Sequence, residues 1–280
     1  MWRIPRKTAP FGALVGLGAL ALTPAVMAGA ATNSVDLKTS YQATIGARSV
    51  RETLNEVVDT GGKRVTVSGS GVADAQGNGS FTLKADGQTL DMVLDSGVLY
   101  LKLPAGSSSG TALHVTTPWV SLNLTTIAQS KLGQSYAQLV SDGQQGPAQS
   151  LAVLQTASTS GVHKVGTTTL FGAPTTEYET TLNLNKVAAA SGKPELAPAI
   201  EQLETEDHVS SIPLKVWLDK QQRVRRLVED VDVPSTGGQK AVRAKVSVNI
   251  TAFGIPVTVT PPSAGQDTDV TAQALSSAQA

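Results

Sequence analysis

The sequence predicts an α+β protein in which helices lie over one face of an antiparallel β-sheet. Three observations support this fold class. Apolar and polar residues alternate over most of the chain after residue 48, turns rich in Gly, Asn and Asp separate the alternating runs, and helical periodicity is confined to the middle of the chain. Period-two alternation is typical of strands with one buried and one wet face, and turn residues that tolerate positive φ are typical of hairpins.

The N-terminal 30 residues have the three parts of a secretory signal peptide. A basic start is followed by an uncharged apolar run from Phe11 to Val26 and by the small residues Ala28-Gly29-Ala30. The run is shorter than the roughly 20 residues that span a bilayer, and Pro24 interrupts it. We therefore expect residues 1–30 to be a signal peptide and the mature protein to be extracytoplasmic. A retained N-terminal membrane anchor is the alternative.

The first group of strands is predicted to form a meander. The alternating runs are Ser49–Val58, Arg64–Ser68, Ser80–Lys84, Leu90–Asp95 and Val98–Leu103. Short segments such as Gly61-Gly62 and Asp86-Gly87 separate them, and these residue types suit tight hairpin turns. Neighbouring strands joined in this way pair antiparallel.

Helical patterns follow in the middle of the chain, over about 125–141, 147–157 and 194–206. A strand at 175–184 lies between the second and third of these helices. The order of strands, helices, strand, helix and strands is typical of a sheet with helices over one face.

The C-terminal strands have the cleanest alternation, over 212–219, 223–233 and 242–251. We expect residues 48–262 to form a single domain. Residues 31–47 and 263–280 are expected to be a flexible N-terminal segment and a flexible tail, because both are rich in small and polar residues.

Four segments together resemble a known family. They are Gly97–Leu103 with Pro118–Leu122, Gly172–Tyr178, Pro213–Asp219 with Val224–Arg226, and Phe253–Val257 with Pro261-Pro262. Their order is similar to that in the actinobacterial LppX/LprG-type lipoproteins, within the wider LolA-like group. The resemblance implies a curved half-barrel sheet whose concave face is covered by helices, with room for lipid acyl chains between the two. The chain departs from the family because it lacks the lipobox cysteine.

The composition argues against several classes of function. The chain has 22 Lys and Arg against 22 Asp and Glu, and this balance argues against a nucleic-acid partner. The absence of cysteine excludes disulfides, thiolate metal sites and cysteine nucleophiles. The histidines, His114, His163 and His208, are far apart in sequence, so we expect no metal site and no cofactor.

The sequence contains no convincing catalytic motif, which favours a protein without enzymatic activity. Gly106–Gly110 matches the GxSxG pattern, but the strand-turn-helix context of a nucleophile elbow is missing. Asp230 and Asp232 share a strand face and could bind a cation, although a solvated surface is the simpler interpretation. Arg223 and Arg225 could meet a lipid phosphate or could be ordinary surface charge.

The leading hypothesis is an exported lipid-binding or lipid-carrier protein of the bacterial cell envelope, with a lipid or acyl chain as its ligand. Each candidate cavity residue could equally belong to a filled core. The predicted lining residues are Phe81, Leu83, Met92, Leu94, Leu99, Leu101, Val216, Leu218, Val246 and Val248. The alternative is an envelope sensor or protein-interaction module with a packed core, which would bind a protein partner through a sheet edge or exposed patch.

Overall fold

Within the part of the chain that the computed structural model describes, twelve strands form one sheet. The structure describes residues 35–104, 115–129, 151, 154, 161–185, 201, 204–205, 209–233 and 241–277. The predicted signal peptide, the GxSxG segment, His114, His208 and most of the three predicted helices lie outside the described residues.

Nine of the described strands overlap predicted alternating runs. In chain order the strands are β1 (Ser49–Thr60), β2 (Lys63–Asp74), β3 (Gly79–Ala85), β4 (Gln88–Asp95), β5 (Val98–Lys102), β6 (Trp119–Asn123), β7 (His163–Leu170), β8 (Ala173–Asn183), β9 (Ser211–Asp219), β10 (Val224–Val233), β11 (Val242–Phe253) and β12 (Asp267–Asp269). Of these, β6, β7 and β12 were not predicted as strands. The described helices are α1 (Leu37–Ile45), α2 (Leu124–Gln129) and α3 (Thr271–Ser277).

The sheet is open and mostly antiparallel. Its spatial order is β12-β6-β5-β4-β3-β2-β1-β11-β10-β9-β8-β7, so β12 and β7 are the two edges. The pairing of β12 with β6 is parallel, and the other strand pairs are antiparallel. The predicted fold class is thereby confirmed as a large, open, mostly antiparallel sheet with few helices.

Two-residue turns set the register of the N-terminal meander. Gly61-Gly62, Asp86-Gly87 and Ser96-Gly97 all have positive φ at both residues. Such turns match the twist of the flanking strands, and they pair Thr60 directly with Lys63. The meander joins the C-terminal strands through β1 and β11, each of 12 residues.

The main core lies against one face of β8–β11. Leu214, Val216 and Leu227 are each at most 2% exposed, and they pack in one cluster with Leu37 and Tyr41 of α1. Period-two alternation places the apolar side chains of each strand on this face, which we call the inner face, and polar side chains on the outer face.

The expectation of a flexible segment at 31–47 is wrong for its second half. Asp36 caps α1 by accepting a hydrogen bond from the Lys38 N–H at 3.0 Å. Thr44 is buried, and its hydroxyl oxygen accepts a hydrogen bond from the Val224 N–H at 2.8 Å. The helix is therefore fixed by burial against the sheet, which outweighs the polar composition of its sequence.

The expectation of a flexible tail at 263–280 is also wrong over 267–277. Strand β12 pairs with β6, and Val270, between β12 and α3, is 4% exposed. Asp269 starts α3, because its Oδ1 accepts hydrogen bonds from the N–H and hydroxyl of Thr271. The folded unit therefore continues past residue 262.

Candidate functional site

All ten residues predicted to line a cavity lie on the inner face. Strand register aligns Phe81 with Met92 and Leu101 in one row, and Leu94 with Leu99 in the next. Val246 and Val248 follow the same parity on β11, as do Val216 and Leu218 on β9. The structure therefore brings the predicted residues to one surface, although it gives them two different environments.

Three of the ten belong to the filled core. Val216, Leu218 and Val248 are 0%, 1% and 4% exposed, and they belong to the cluster that includes α1. The other seven are half-buried, and of these Val246, on β11, packs against the core cluster. The seven are Phe81, Leu83, Met92, Leu94, Leu99, Leu101 and Val246. The inner face is thus filled over β8–β11 and partly open over β2–β6.

The open half contains an apolar groove of about 770 Å³. From the predicted set, Leu83 and Leu101 line it. Its other apolar walls are Val67, Ala85, Leu90, Leu103, Pro104, Val120, Leu122, Val270 and Ala274, and its polar rim is Asp86, Gln88 and Thr89. Pockets that hold small ligands have volumes of roughly 300–1,000 Å³ and mostly apolar walls with a few polar groups.

Helices α2 and α3 lie beside the groove. Leu124 and Ile127 of α2 form a second buried cluster with Leu94 and Leu99, and Leu275 of α3 packs against it. Ala274 and Val270 contribute to the groove wall itself. The C-terminal segment, which the sequence did not mark, is therefore part of the site.

Two glycines shape the inner face of β2. A Cβ placed on Gly71 would overlap the Phe81 ring, and one placed on Gly69 would overlap the Leu83 side chain. The Phe81 and Leu83 side chains therefore lie over the bare backbone of β2. Glycine within a strand commonly marks such a close approach.

Three glutamates, which were not among the predicted site residues, interrupt the apolar inner face. Glu52 pairs with Gly71 and Ile250, and Glu56 pairs with Val67 and Val246. Glu229 lies on the other side of Val246. Period-two parity was the available signal: Glu229 falls between Leu227 and Val231, where an apolar residue is expected.

Burial changes the protonation of these glutamates. Desolvation raises the pKa of Glu52 to about 8 and that of Glu229 to about 7, and it raises the pKa of the half-buried Glu56 as well. The Oε2 atom of Glu52 is buried and has no hydrogen-bond partner in the structure. A buried carboxyl without a cation favours its neutral form, because the low dielectric penalises charge.

The arginines considered as lipid-phosphate ligands are engaged with the protein. Asp219 accepts hydrogen bonds from Arg223 Nε at 2.9 Å and Nη2 at 2.7 Å, and Arg225 Nε lies 3.4 Å from the same carboxylate. Both guanidinium groups stack on Phe253, at 4.2 and 4.6 Å from the ring centroid. Trp217 belongs to the outer face as well, 5.5 Å from the Arg226 guanidinium.

The outer-face aspartates form exposed ion pairs. Asp232 Oδ2 lies 3.2 Å from Arg243 Nε, and Asp230 Oδ2 lies 4.0 Å from Lys245 Nζ. Both aspartate side chains are 59% exposed. Among the described residues, no group of three or more His, Asp or Glu side chains could hold a metal ion.

His163 is exposed on β7 beside a second, more polar cavity of about 470 Å³. Within the described ranges, no helix is long and apolar enough to cross a membrane.

Comparisons with known proteins show similarity at the level of solved structures. No protein-family model matches the chain, and no curated protein matches it. The crystal structure of LprF from Mycobacterium bovis is similar, with 15% identity, a TM-score of 0.41, and coverage of 81% of this chain and 96% of LprF. The lipoprotein LppX from Mycobacterium tuberculosis has 14% identity and a TM-score of 0.38, covering 80% of this chain and 98% of LppX. A LolA-superfamily protein from Nitrosomonas europaea has 9% identity and a TM-score of 0.27, covering 81% of this chain and 96% of that protein.

Proposed function

We propose that this chain is an exported, non-enzymatic lipid-binding or lipid-carrier protein of the bacterial cell envelope, related to the LppX/LprG group. The observation that supports this most is the apolar groove over β2–β6. Its volume of about 770 Å³ suits an acyl chain, and its walls come from strand side chains together with Val270 and Ala274.

The two halves of the inner face have different roles in this proposal. The filled half over β8–β11 holds the sheet and α1 together, whereas the half-buried side chains over β2–β6 leave apolar surface accessible. Burying one methylene of a ligand contributes about 0.8 kcal/mol. A chain of several methylenes in the groove would therefore bind through the same effect that stabilises the core.

Export is the second part of the proposal. It is supported by the basic start, apolar run and small residues of the N-terminal 30 positions. Because the chain has no cysteine, it cannot carry the thioether-linked lipid of a bacterial lipoprotein. We propose that the mature protein meets its ligand outside the cytoplasmic membrane without an acyl anchor of that kind.

Ligand uptake by groove variants tests the proposal. Nile red, a neutral dye that fluoresces in apolar surroundings, serves as the probe, and native mass spectrometry of protein purified from its host detects bound lipid. Ala274→Trp fills the groove from α3, and Ala272→Trp places the same ring on the exposed side of the same helix. We expect Ala274→Trp to weaken Nile red binding about tenfold and Ala272→Trp to leave it unchanged. Equal affinities for both variants, or no uptake by the wild type, would refute the proposal.

An alternative function is supported by the opposite end of the sheet. Strand β7 is an edge, and Val165 and Phe171 are 52% and 44% exposed there. Exposed edge strands can accept a strand from a protein partner. Lipid-free protein in native mass spectrometry, together with no Nile red uptake, would favour an envelope sensor or protein-interaction module.

A further inference from the structure

The apolar groove crosses the inner face diagonally. Leu122 of β6 lines one end, and Val67 of β2 and Ala85 of β3 line the other. Strand pairing places Leu122 in the same row as Gly79 of β3, and Ala85 lies six residues beyond Gly79. Because each strand residue advances about 3.3 Å, the two ends of the groove are roughly 20 Å apart along the strands. The groove is therefore long, and its two ends can be compared.

The end at Leu122 is closed by helices. Leu122 packs against the buried cluster of Leu124 and Ile127 in α2, which Leu275 of α3 also contacts. Val270 lies just before α3, lines the groove and is 4% exposed. A polar group at this end would lose its hydrogen bonds to water among apolar side chains. The closed end therefore suits the end of an alkyl chain.

The opposite end opens at the turn between β3 and β4. Asp86, Gln88 and Thr89 line the groove there, and all three are exposed. Gln88 pairs with Ala85, which pairs with Val67, so Gln88 stands in the outermost row of the groove. A polar group at this end can keep its hydrogen bonds to water and to side chains. Polarity therefore rises along the groove from Leu122 to Gln88.

The groove also narrows toward its closed end. Among the described inner-face strand residues, three strands line its outermost row, two strands line the row of Leu101 and Val120, and Leu122 alone lines the last row. A lining that contracts from three strands to one suits a single alkyl chain at the closed end.

We propose that the groove binds a single-chain amphiphile tail first, with the end of its alkyl chain beside α2 and α3 and its polar head group in water at the β3–β4 turn. This inference rests on the proposed function and adds the class and the orientation of the ligand. An extended alkyl chain advances about 1.3 Å per carbon, so a groove of roughly 20 Å accommodates about 16 carbons.

Alkyl maltosides from octyl to hexadecyl test this orientation. Their disaccharide head group is too large and too polar for the closed end, so the chain length sets how deep the tail reaches. Each compound displaces Nile red from the wild-type protein below its micelle-forming concentration. We expect the affinity to rise by up to about fourfold per methylene until the tail meets Leu122, near 16 carbons. Affinity that does not depend on chain length, while Nile red binds, overturns the inference.

Leu122→Trp shortens the groove from its closed end. The variant should bind octyl and decyl maltoside as the wild type does, because these tails do not reach position 122, and it should bind hexadecyl maltoside at least about tenfold more weakly. Ala272→Trp, on the exposed side of α3, is the matched control and should leave the whole series unchanged. An equal loss at every chain length in Leu122→Trp would contradict the tail-first orientation.

Photo-crosslinking of the wild-type protein tests the same point without a substitution. Hexadecyl maltoside with a diazirine at its terminal carbon should label the peptides that contain Leu122 and Val270. Labels at the β3–β4 turn instead would overturn the orientation, and the lipid-binding proposal would stand. If neither Nile red nor any maltoside binds, the proposed function itself fails.

Discussion

Replacing Glu52 by glutamine should change how the stability of the protein depends on pH. Burial raises the pKa of Glu52 from 4.5 to about 8 in the folded protein. Between these two values the folded state holds a proton that the unfolded state has released. Folding then takes up a proton, so the free energy of unfolding falls as pH rises through this window.

The size of the effect follows from the pKa difference. One proton changes the free energy of unfolding by about 1.4 kcal/mol per pH unit. Between about pH 5 and pH 7, Glu52 alone should therefore cost the wild type on the order of 3 kcal/mol. Glu52→Gln has no proton to take up, so its stability relative to the wild type should rise by that amount over the same interval. Burying the glutamine amide changes the free energy of unfolding by an amount that does not depend on pH. The prediction therefore concerns the slope of the free energy of unfolding against pH.

Urea unfolding at a series of pH values measures this slope, with the free energy extrapolated to water. Glu56→Gln is the matched control, because Glu56 lies four residues along the same strand and face but is only half-buried. Its slope should differ from that of the wild type by much less. Parallel pH profiles for the wild type and Glu52→Gln would refute the assignment of a buried, neutral Glu52.

Two further predictions concern the framework of the site. Gly71→Ala should destabilise the protein by about 1–3 kcal/mol, because the new methyl overlaps the Phe81 ring and lies 2.5 Å from the Ser80 carbonyl oxygen. Adding Phe81→Ala relieves only the contact with the ring, so it should recover part of the loss in urea unfolding. Asp219→Asn should cost about 3 kcal/mol or more, because Asp219 is buried and neutralises Arg223 and Arg225. A loss below about 1 kcal/mol would show that the Asp219 cluster behaves as an exposed ion pair.

The strands could be predicted from sequence because each has one wet face. Val242 to Ile250 alternates without a break, and turn pairs such as Asp86-Gly87 tolerate the positive φ that sets hairpin register. The pairing of β1 with β11 could not be predicted in this way, because it joins residues about 200 positions apart. Strands β6, β7 and β12 were not predicted. Strand β7 is exposed over most of its length and has no alternating burial, and the three residues of β12 carry no periodic signal.

The sequence could predict which face of the sheet carries the site, but not which residues of that face line the groove. Parity placed all ten candidate residues on the inner face, but it could not separate Val216, in the filled core, from Leu101, in the groove. That difference depends on where helices pack, which is a tertiary property. The glutamates were accessible to the same parity argument, since Glu229 occupies an apolar position of its strand. Their raised pKa values could not be predicted from sequence, because the pKa shift depends on burial in the folded protein.

The most direct test of a lipid-binding groove is photo-crosslinking with a diazirine-labelled alkyl chain, followed by peptide mapping. The groove predicts labels on β3–β5 and around Val270 and Ala274, and their loss in Ala274→Trp. Labels confined to the filled half around Val216, to the β7 edge, or spread evenly over the surface would contradict it.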